Sequence, residues 1–253
     1  MYICFACCMI VAAQRPSYGQ KYLMMTNVCA FIISVADALE FFAHSQGAAM
    51  VAVKMAYVGK MHIMLFALLF VTSFTQVGMN RKIAWGLVCY NVILLAAVMA
   101  SERNHWFYTS IDYKILESGR GILVLGKGIF FYAWTTEMLV GVCWYCFIAI
   151  KGGVMKGSRE AKIRGTLIFM AALMPLLLLV IFMLGFMPDF DPMTLAATIM
   201  SVCFLIAVKR YGLLDVVQLA QERVLEDTKD GLIIVDDKQM NVLYANPMAV
   251  TLL

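Results

Sequence analysis

The chain has 253 residues, of which 63% are hydrophobic and only 14% charged, with a formal net charge of +4. Its mean hydropathy of +0.83 lies far above that of soluble globular domains, which excludes water as the main solvent of the fold. No nucleic-acid partner is expected.

A hydrocarbon core about 30 Å thick takes roughly 20 helical residues at about 1.5 Å each. In chain order, seven apolar stretches read as spans: Met1 to Ala13, Tyr22 to His44, Met55 to Gln76, Ile83 to Ala100, Ile129 to Ile150, Gly165 to Met187 and Met193 to Val208. Gly165 to Met187 carries no charge at all. The first stretch reaches only about 20 Å as a helix, so either the chain starts upstream of Met1 or this helix is partial. It lacks the basic start of a cleaved signal peptide and is read as a membrane helix.

Orientation follows from Lys and Arg, which stay on the cytoplasmic side of short loops. With the N-terminus outside, the inner segments hold Arg15, Lys21, Arg81, Lys82, Lys151, Lys156, Arg159, Lys162, Arg164, Lys209 and Arg210. The outer ones hold only Lys54, Arg103, Lys114, Arg120 and Lys127. The expected location is therefore the plasma membrane, multi-pass, with a cytoplasmic C-terminus and membrane lipid as the surrounding partner. The outer connection Ser101 to Gly128 is read as a long loop, with the aromatic run Trp106, Phe107, Tyr108 and the glycines of GRGILVLGKG. Two uses suit it: a binding lid, or a solvated cap with an interfacial aromatic anchor.

Past Val208 the composition becomes that of a soluble protein. Leu213, Val217, Ala220 and Val224 are spaced four, three, four, one stripe of a helix that pairs either with a second copy or with its own domain. In Asp230 to Leu253, GLIIVD and NVLY read as short strands around the turn DDKQM, followed by an Asn-Pro break and a helix start. These residues are too few for a core of their own, so a domain is expected to begin here without being completed. The divisions are 1–208, a membrane domain; 209–229, a helical linker; and 230–253, the opening of a further domain.

Taken whole, the chain resembles the seven-transmembrane N-terminal sensor region of bacterial histidine kinases and related diguanylate cyclases, running into a PAS domain. The resemblance rests on the number and spacing of spans and on Lys54, Tyr57 and Gly59 in KMAYVG. Its most specific part is RYGLLDVVQLAQERVLEDTKDGLIIVD, with Arg210, Leu213, Leu214, Asp215 and Val217 before DGLIIVD, and then Asn246 to Ala249 as NPMA. It implies an all-α membrane protein, a seven-helix bundle followed by a signalling helix and an incomplete α/β PAS start. It also implies a receptor for an extracellular or intramembrane signal, controlling a kinase or cyclase output inside the cell. None of His44, His62 and His105 lies in the cytoplasmic tail, and no residue here takes a catalytic role.

Ionisable groups inside a membrane are costly unless paired or hydrated, and they often mark functional sites. Asp37 and Glu40 lie in the second span, Lys60 and His62 in the third, and Glu137 in the fifth. From the outer ends, Asp37 and Lys60 lie about 10 Å deep and Glu137 about 12 Å. Asp37, Glu40, Lys60 and Glu137 therefore form either a pocket for a small-molecule ligand under the outer loop, with His62 and Trp106 as further candidates, or a structural ion-pair set between helices. The negative balance at that level favours a cationic or zwitterionic ligand.

Pro175, in the middle of the sixth span, removes a backbone hydrogen bond and can bend its helix next to the one that leaves the membrane. Asn91 is read as a structural hydrogen-bonding group between helices. The pairs Cys4 with Cys7 and Cys143 with Cys146 lie in apolar helices, so the cysteines, like the twenty methionines, read as packing residues, and neither metal nor cofactor is expected. The expected function is an integral-membrane signal receptor acting as a homodimer, with transmission through Pro175, Arg210, Leu213, Asp215, Val217, Ala220 and Val224. The alternatives are a small-molecule transporter, or a truncated sensor without its own output. Paired repeats with matching glycine or proline interruptions, the usual mark of a transporter, are not found in the sequence.

Overall fold

The computed structural model of the chain describes residues 1–13, 19–75, 77, 79–115, 121–151, 159–185, 192–211, 230–235, 242–246 and 248–249. Long apolar runs become helices because a bilayer offers the backbone no water, and a helix satisfies its N–H and C=O groups within itself. The elements in order are α1 (Tyr2–Ala12), α2 (Gln20–Phe41), α3 (Gln46–Thr75), α4 (Arg81–Met99), α5 (Ser101–Asn104), β1 (Tyr108–Ile115), β2 (Gly121–Lys127), α6 (Ile129–Ala149), α7 (Arg159–Met183), α8 (Met193–Tyr211), β3 (Ile233–Val235) and β4 (Val242–Ala245). The seven longer helices fall on the seven stretches read as spans.

Among the described residues, five of them, within α2, α3, α4, α7 and α8, are long and apolar enough to cross a membrane. Helix α6 has spanning length at 21 residues, but Glu137 and its tyrosines and tryptophans lower its hydropathy. Helix α1, with 11 residues, is a shorter apolar helix. It is fixed by contacts with its neighbours: Cys4 Sγ lies 3.6 Å from Ser34 Oγ of α2, and Cys7 Sγ donates to the Ser201 carbonyl of α8 at 3.4 Å. The first cysteine pair thus faces the bundle.

Helix α3 is the central post. It is 30 residues long and starts nine residues before the expected Met55, because Gln46 to Lys54 continues the helical run beyond the apolar window. Its closest partner is α2. A Cβ placed on Gly59 would stand 2.6 Å from the Cys29 carbonyl oxygen and 2.8 Å from Ile33 Cγ1, so hydrogen alone lets these backbones meet. On the α6 side, Gly141 leaves room for Met64, whose Cγ would be 2.8 Å from an added Cβ. Helices α7 and α8 pack on each other, and α7 continues through Pro175.

The connection read as a long loop is a structured cap. Strands β1 and β2 pair antiparallel, Ile111 opposite Leu125 and Tyr113 opposite Leu123, with an irregularity between Tyr108 and Ile111. Gly121 and Gly126, two of the glycines that suggest a loop, lie near the ends of GILVLGK, which is itself a strand of apolar and β-branched residues. Tyr113 donates from its hydroxyl to the Ala43 carbonyl at 3.1 Å, and Gln46 Nε2 donates to the Ile111 carbonyl at 3.2 Å, which seats the hairpin over the α2–α3 turn. At its base, an added Cβ on Gly128 would fall 2.3 Å from the Trp106 carbonyl oxygen.

In the tail, β3 and β4 pair antiparallel. Asn246, just past β4, braces this pair: its Oδ1 accepts from the N–H groups of Leu232 and Ala249, both at 2.9 Å, and its Nδ2 donates to the Asp230 carbonyl at 2.8 Å. Leu213, Asp215, Val217, Ala220 and Val224 lie outside the described residues.

Two glycines of α3 give opposite expectations. Gly59→Ala should destabilise the bundle by about 1–3 kcal/mol, since the new methyl meets backbone that has to move. Gly47→Ala, with nothing within 4 Å of the added atom, should leave stability unchanged or raise it by up to about 1 kcal/mol. Thermal unfolding of both variants in nanodiscs, followed by circular dichroism, checks the contrast.

Candidate functional site

At the hairpin end an aromatic cluster joins the cap to the bundle. Tyr57 of α3 is its hub, with ring centroids 5.0 Å from Phe107, 6.2 Å from Tyr108 and 5.4 Å from Trp134. Phe131 closes the set at 6.0 Å from Phe107 and 5.7 Å from Trp134. The contacts are edge-on, the arrangement that ring quadrupoles favour. Phe107 and Tyr108 of the aromatic run are buried, whereas Trp106 is 58% exposed and rests on Phe130.

Cations border this cluster. Lys60 is buried at 5% exposure, one turn along α3 from Tyr57, with its ammonium 5.2 Å from that ring's centroid. Lys127, the last residue of β2, stands 5.3 Å from the Phe131 ring and 4.8 Å from that of Phe182, linking the hairpin to α6 and α7. Lys54 pairs with Glu102 of α5 at 2.9 Å. The three residues of KMAYVG that carried the resemblance thus each hold a junction: Lys54 with α5, Tyr57 with the cap, Gly59 with α2.

The other ionisable candidates occupy different faces. Asp37 of α2 accepts a hydrogen bond through Oδ2 from the Thr194 hydroxyl, at the start of α8. Glu40 is half-buried one turn further along α2. Glu137 of α6 keeps Oε2 buried without a hydrogen-bond partner among the described residues. His62 is two positions from Lys60, about 200° around the helix, so the two cannot share a face. Its Nδ1 lies 3.0 Å from the Val58 carbonyl and its ring stacks on Phe66. Asn91 is fully buried, but neither of its amide atoms has a partner among the described residues, so the expected bond between helices is not seen. Arg210 is exposed in the last turn of α8.

Deeper in the bundle lies a small cavity of about 30 Å³, walled by α2, α3, α6, α7 and α8. None of the ionisable candidates lines it. Met64, Met138, Met193 and Met200 do, together with Pro175 and Tyr145. Sequence reasoning missed this site and its polar neighbour Thr194. A hydroxyl in the first turn of an otherwise apolar helix was a signal for Thr194, and a tyrosine in the middle of an apolar run was one for Tyr145.

Residues 1–217 match the family model of the N-terminal 7TM region of histidine kinase, a match that takes in the whole helix bundle and its cap. No curated protein matches the chain.

If Tyr57 holds the cap to the bundle, Tyr57→Ala should speed amide hydrogen exchange in 108–115 and 121–127 by about tenfold or more, the loss of several aromatic contacts at roughly 0.5–1.5 kcal/mol each. Trp106→Ala should leave exchange in the hairpin nearly unchanged. Hydrogen-exchange mass spectrometry on the nanodisc-held protein reads both.

Proposed function

The chain belongs to the family of N-terminal seven-transmembrane regions of histidine kinases, membrane sensor modules, and we propose that it detects its signal inside the bundle and relays it through α8 to a cytoplasmic output. The observation that carries this reading is the position of α8. Its first residues meet both the cavity, through Met193, and α2, through the Thr194 bond to Asp37, and the helix then runs without interruption to Lys209, Arg210 and Tyr211. A change at its upper end therefore reaches its lower end as a rigid shift or rotation.

In this reading Asp37 and Thr194 act as a latch. A bond between two membrane helices contributes about 0.6–1.7 kcal/mol, small enough for a ligand to outweigh. Pro175 borders the same cavity and removes one backbone bond from α7, so α7 can yield where α8 packs on it. A ligand shifts such an equilibrium only as far as it binds the two arrangements differently. Lys60, Glu40 and Glu137 set the resting arrangement at the capped end. The basic end faces the cytoplasm, and the stripe Leu213, Val217, Ala220, Val224 pairs with a second copy to carry the shift onward. The kinase or cyclase nature of the output, the PAS opening at 230–253 and the role of Asp215 belong to the same proposal.

The relay can be tested without knowing the ligand. Single cysteines placed from Leu213 to Val224 in a cysteine-depleted background report which faces of two copies meet. Asp37→Asn and Thr194→Val, by releasing the latch, should change the relative disulfide crosslinking at neighbouring positions by about fivefold, the size of a ~1 kcal/mol bias. A pattern that stays the same in both variants would rule out transmission by this route, and no crosslinking at any position would rule out the paired linker.

A further inference from the structure

Helix α8 meets α1 and α2 along a seam whose levels are fixed by three contacts. The Thr194 hydroxyl bonds to Asp37 near the start of α8; further along, Cys4 Sγ lies beside Ser34 Oγ and Cys7 Sγ reaches the Ser201 carbonyl. Helix α8 therefore runs antiparallel to α2, and Ser201, seven residues past Thr194, stands about level with Ala30, seven residues before Asp37. The seam is made of small side chains here. Ala30, Ser34, Ala197 and Ser201 are all buried, so the helices approach closely with little to interlock.

Two buried polar atoms of this seam are out of step with each other. Thr26, Ser34 and Thr198 each return a hydroxyl to the carbonyl four residues earlier, but Ser201 Oγ makes no such bond and has no partner among the described residues. Asn27, seven residues from Ser34, lies on the same face of α2. Its Nδ2 is tied to the Leu23 carbonyl at 2.9 Å, which leaves Oδ1 buried and also without a partner among the described residues. A donor on α8 and an acceptor on α2 are thus both left unmade, a costly state for buried groups. Asn27 is three residues from Ala30, so its level and that of Ser201 differ by about 4.5 Å. Ser34 is three residues from Asp37, so the same step would carry Thr194 from one to the other.

We propose that α8 has a second register, displaced by about 4.5 Å toward its Tyr211 end, in which Thr194 donates to Ser34 and Ser201 donates to Asn27 Oδ1. The displacement gives up one bond to a carboxylate and makes two between neutral groups. A charge-assisted bond is roughly twice as strong as a neutral one, so the two registers lie close in energy. Ser34 can take the new bond because its hydroxyl donates to Ala30 and keeps lone pairs to accept with. The small cavity beside Met193, Ala196, Ala197 and Met200 gives the moving face of α8 room to repack. The direction also suits the charges, since Lys209 and Arg210 travel away from the bundle and not into hydrocarbon. Packed helices change over in steps of about this size, one turn or less, because their interfaces are bistable. The second register supplies the motion of the relay proposed above and rests on that reading for its signalling consequence.

The test uses the whole chain in nanodiscs, in a cysteine-depleted background, with two reporter pairs that share Ala197→Cys. Ile33 and Ala197 line the same cavity, so Ile33→Cys reports the register of this structure, whereas Ala30→Cys comes about level with Ala197→Cys only after the shift. Asp37→Asn weakens the first register alone and should raise disulfide formation at the Ala30 pair relative to the Ile33 pair by about fivefold. Adding Ser201→Ala, which removes no bond from the first register, should return the ratio to its starting value, and Asn27→Leu should do the same. Circular dichroism checks that each variant is folded. A ratio that Asp37→Asn leaves unmoved would overturn the proposal, and so would a raised ratio that Ser201→Ala does not lower. A register change accompanied by constant linker crosslinks would instead refute the relay and leave the second register standing. Altered linker crosslinks with a constant ratio would refute the second register and leave the relay to a rotation of α8.

Discussion

Everything in this bundle depends on how close α2 can come to α3. Between helices in hydrocarbon there is little hydrophobic driving force, because lipid tails are as apolar as the side chains, so association relies on close packing and a few polar bonds. Gly59 provides the closest approach, its hydrogen facing the Cys29 carbonyl and Ile33. That contact fixes the rotation of α3. Once it is fixed, Tyr57 must face the cap, Lys60 must lie beneath that aromatic cluster, and His62 must turn the other way. Three features, the cap, the buried cation and the cavity wall formed by Ile63, Met64 and Ala67, inherit their positions from one missing side chain.

The parts of this arrangement visible in the sequence are those that depend on local spacing. Spans are legible because hydrocarbon thickness sets their length, and Gly165 to Met187 announces itself by having no charge. The tail strands are legible too, since GLIIVD and NVLY are short apolar runs set off by a turn and an Asn-Pro break. The early start of α3 is not, because Gln46 to Lys54 is helical for reasons of propensity and cap contact rather than membrane depth. The hairpin misleads for a similar reason: the glycines that frame β2 look like loop residues until Gly128 is seen touching the Trp106 carbonyl.

The candidate site divides in the same way. Counting depth along each span assigns Asp37, Lys60 and Glu137 to one level on paper, but depth does not give azimuth. The 100° step between helical neighbours would have separated His62 from Lys60 on paper. Thr194 could not be matched to Asp37 from spacing, since the two are 157 residues apart and no periodicity relates α2 to α8. The cavity is harder still. It is an absence of atoms produced jointly by five helices, and its lining residues are individually the most ordinary ones in the chain.

Energetics explain why an apolar cavity suits a sensor. Moving a two-state equilibrium from 1:99 to 99:1 requires about 5.5 kcal/mol of differential binding, more than any single polar bond between helices contributes. Side chains of five helices meet around this space, so in the proposed relay that difference is gathered from many small contacts, each sensitive to a displacement well below a helical turn. In that relay the space changes shape as α8 moves, and the residues bordering it suit that: methionines that repack and a proline that leaves α7 one backbone bond short. A tightly filled core at the same place would hold α7 and α8 in a single arrangement, because close-packed interiors resist graded deformation. In the proposed relay, the unfilled volume is thus what lets two arrangements of α7 and α8 have similar energy.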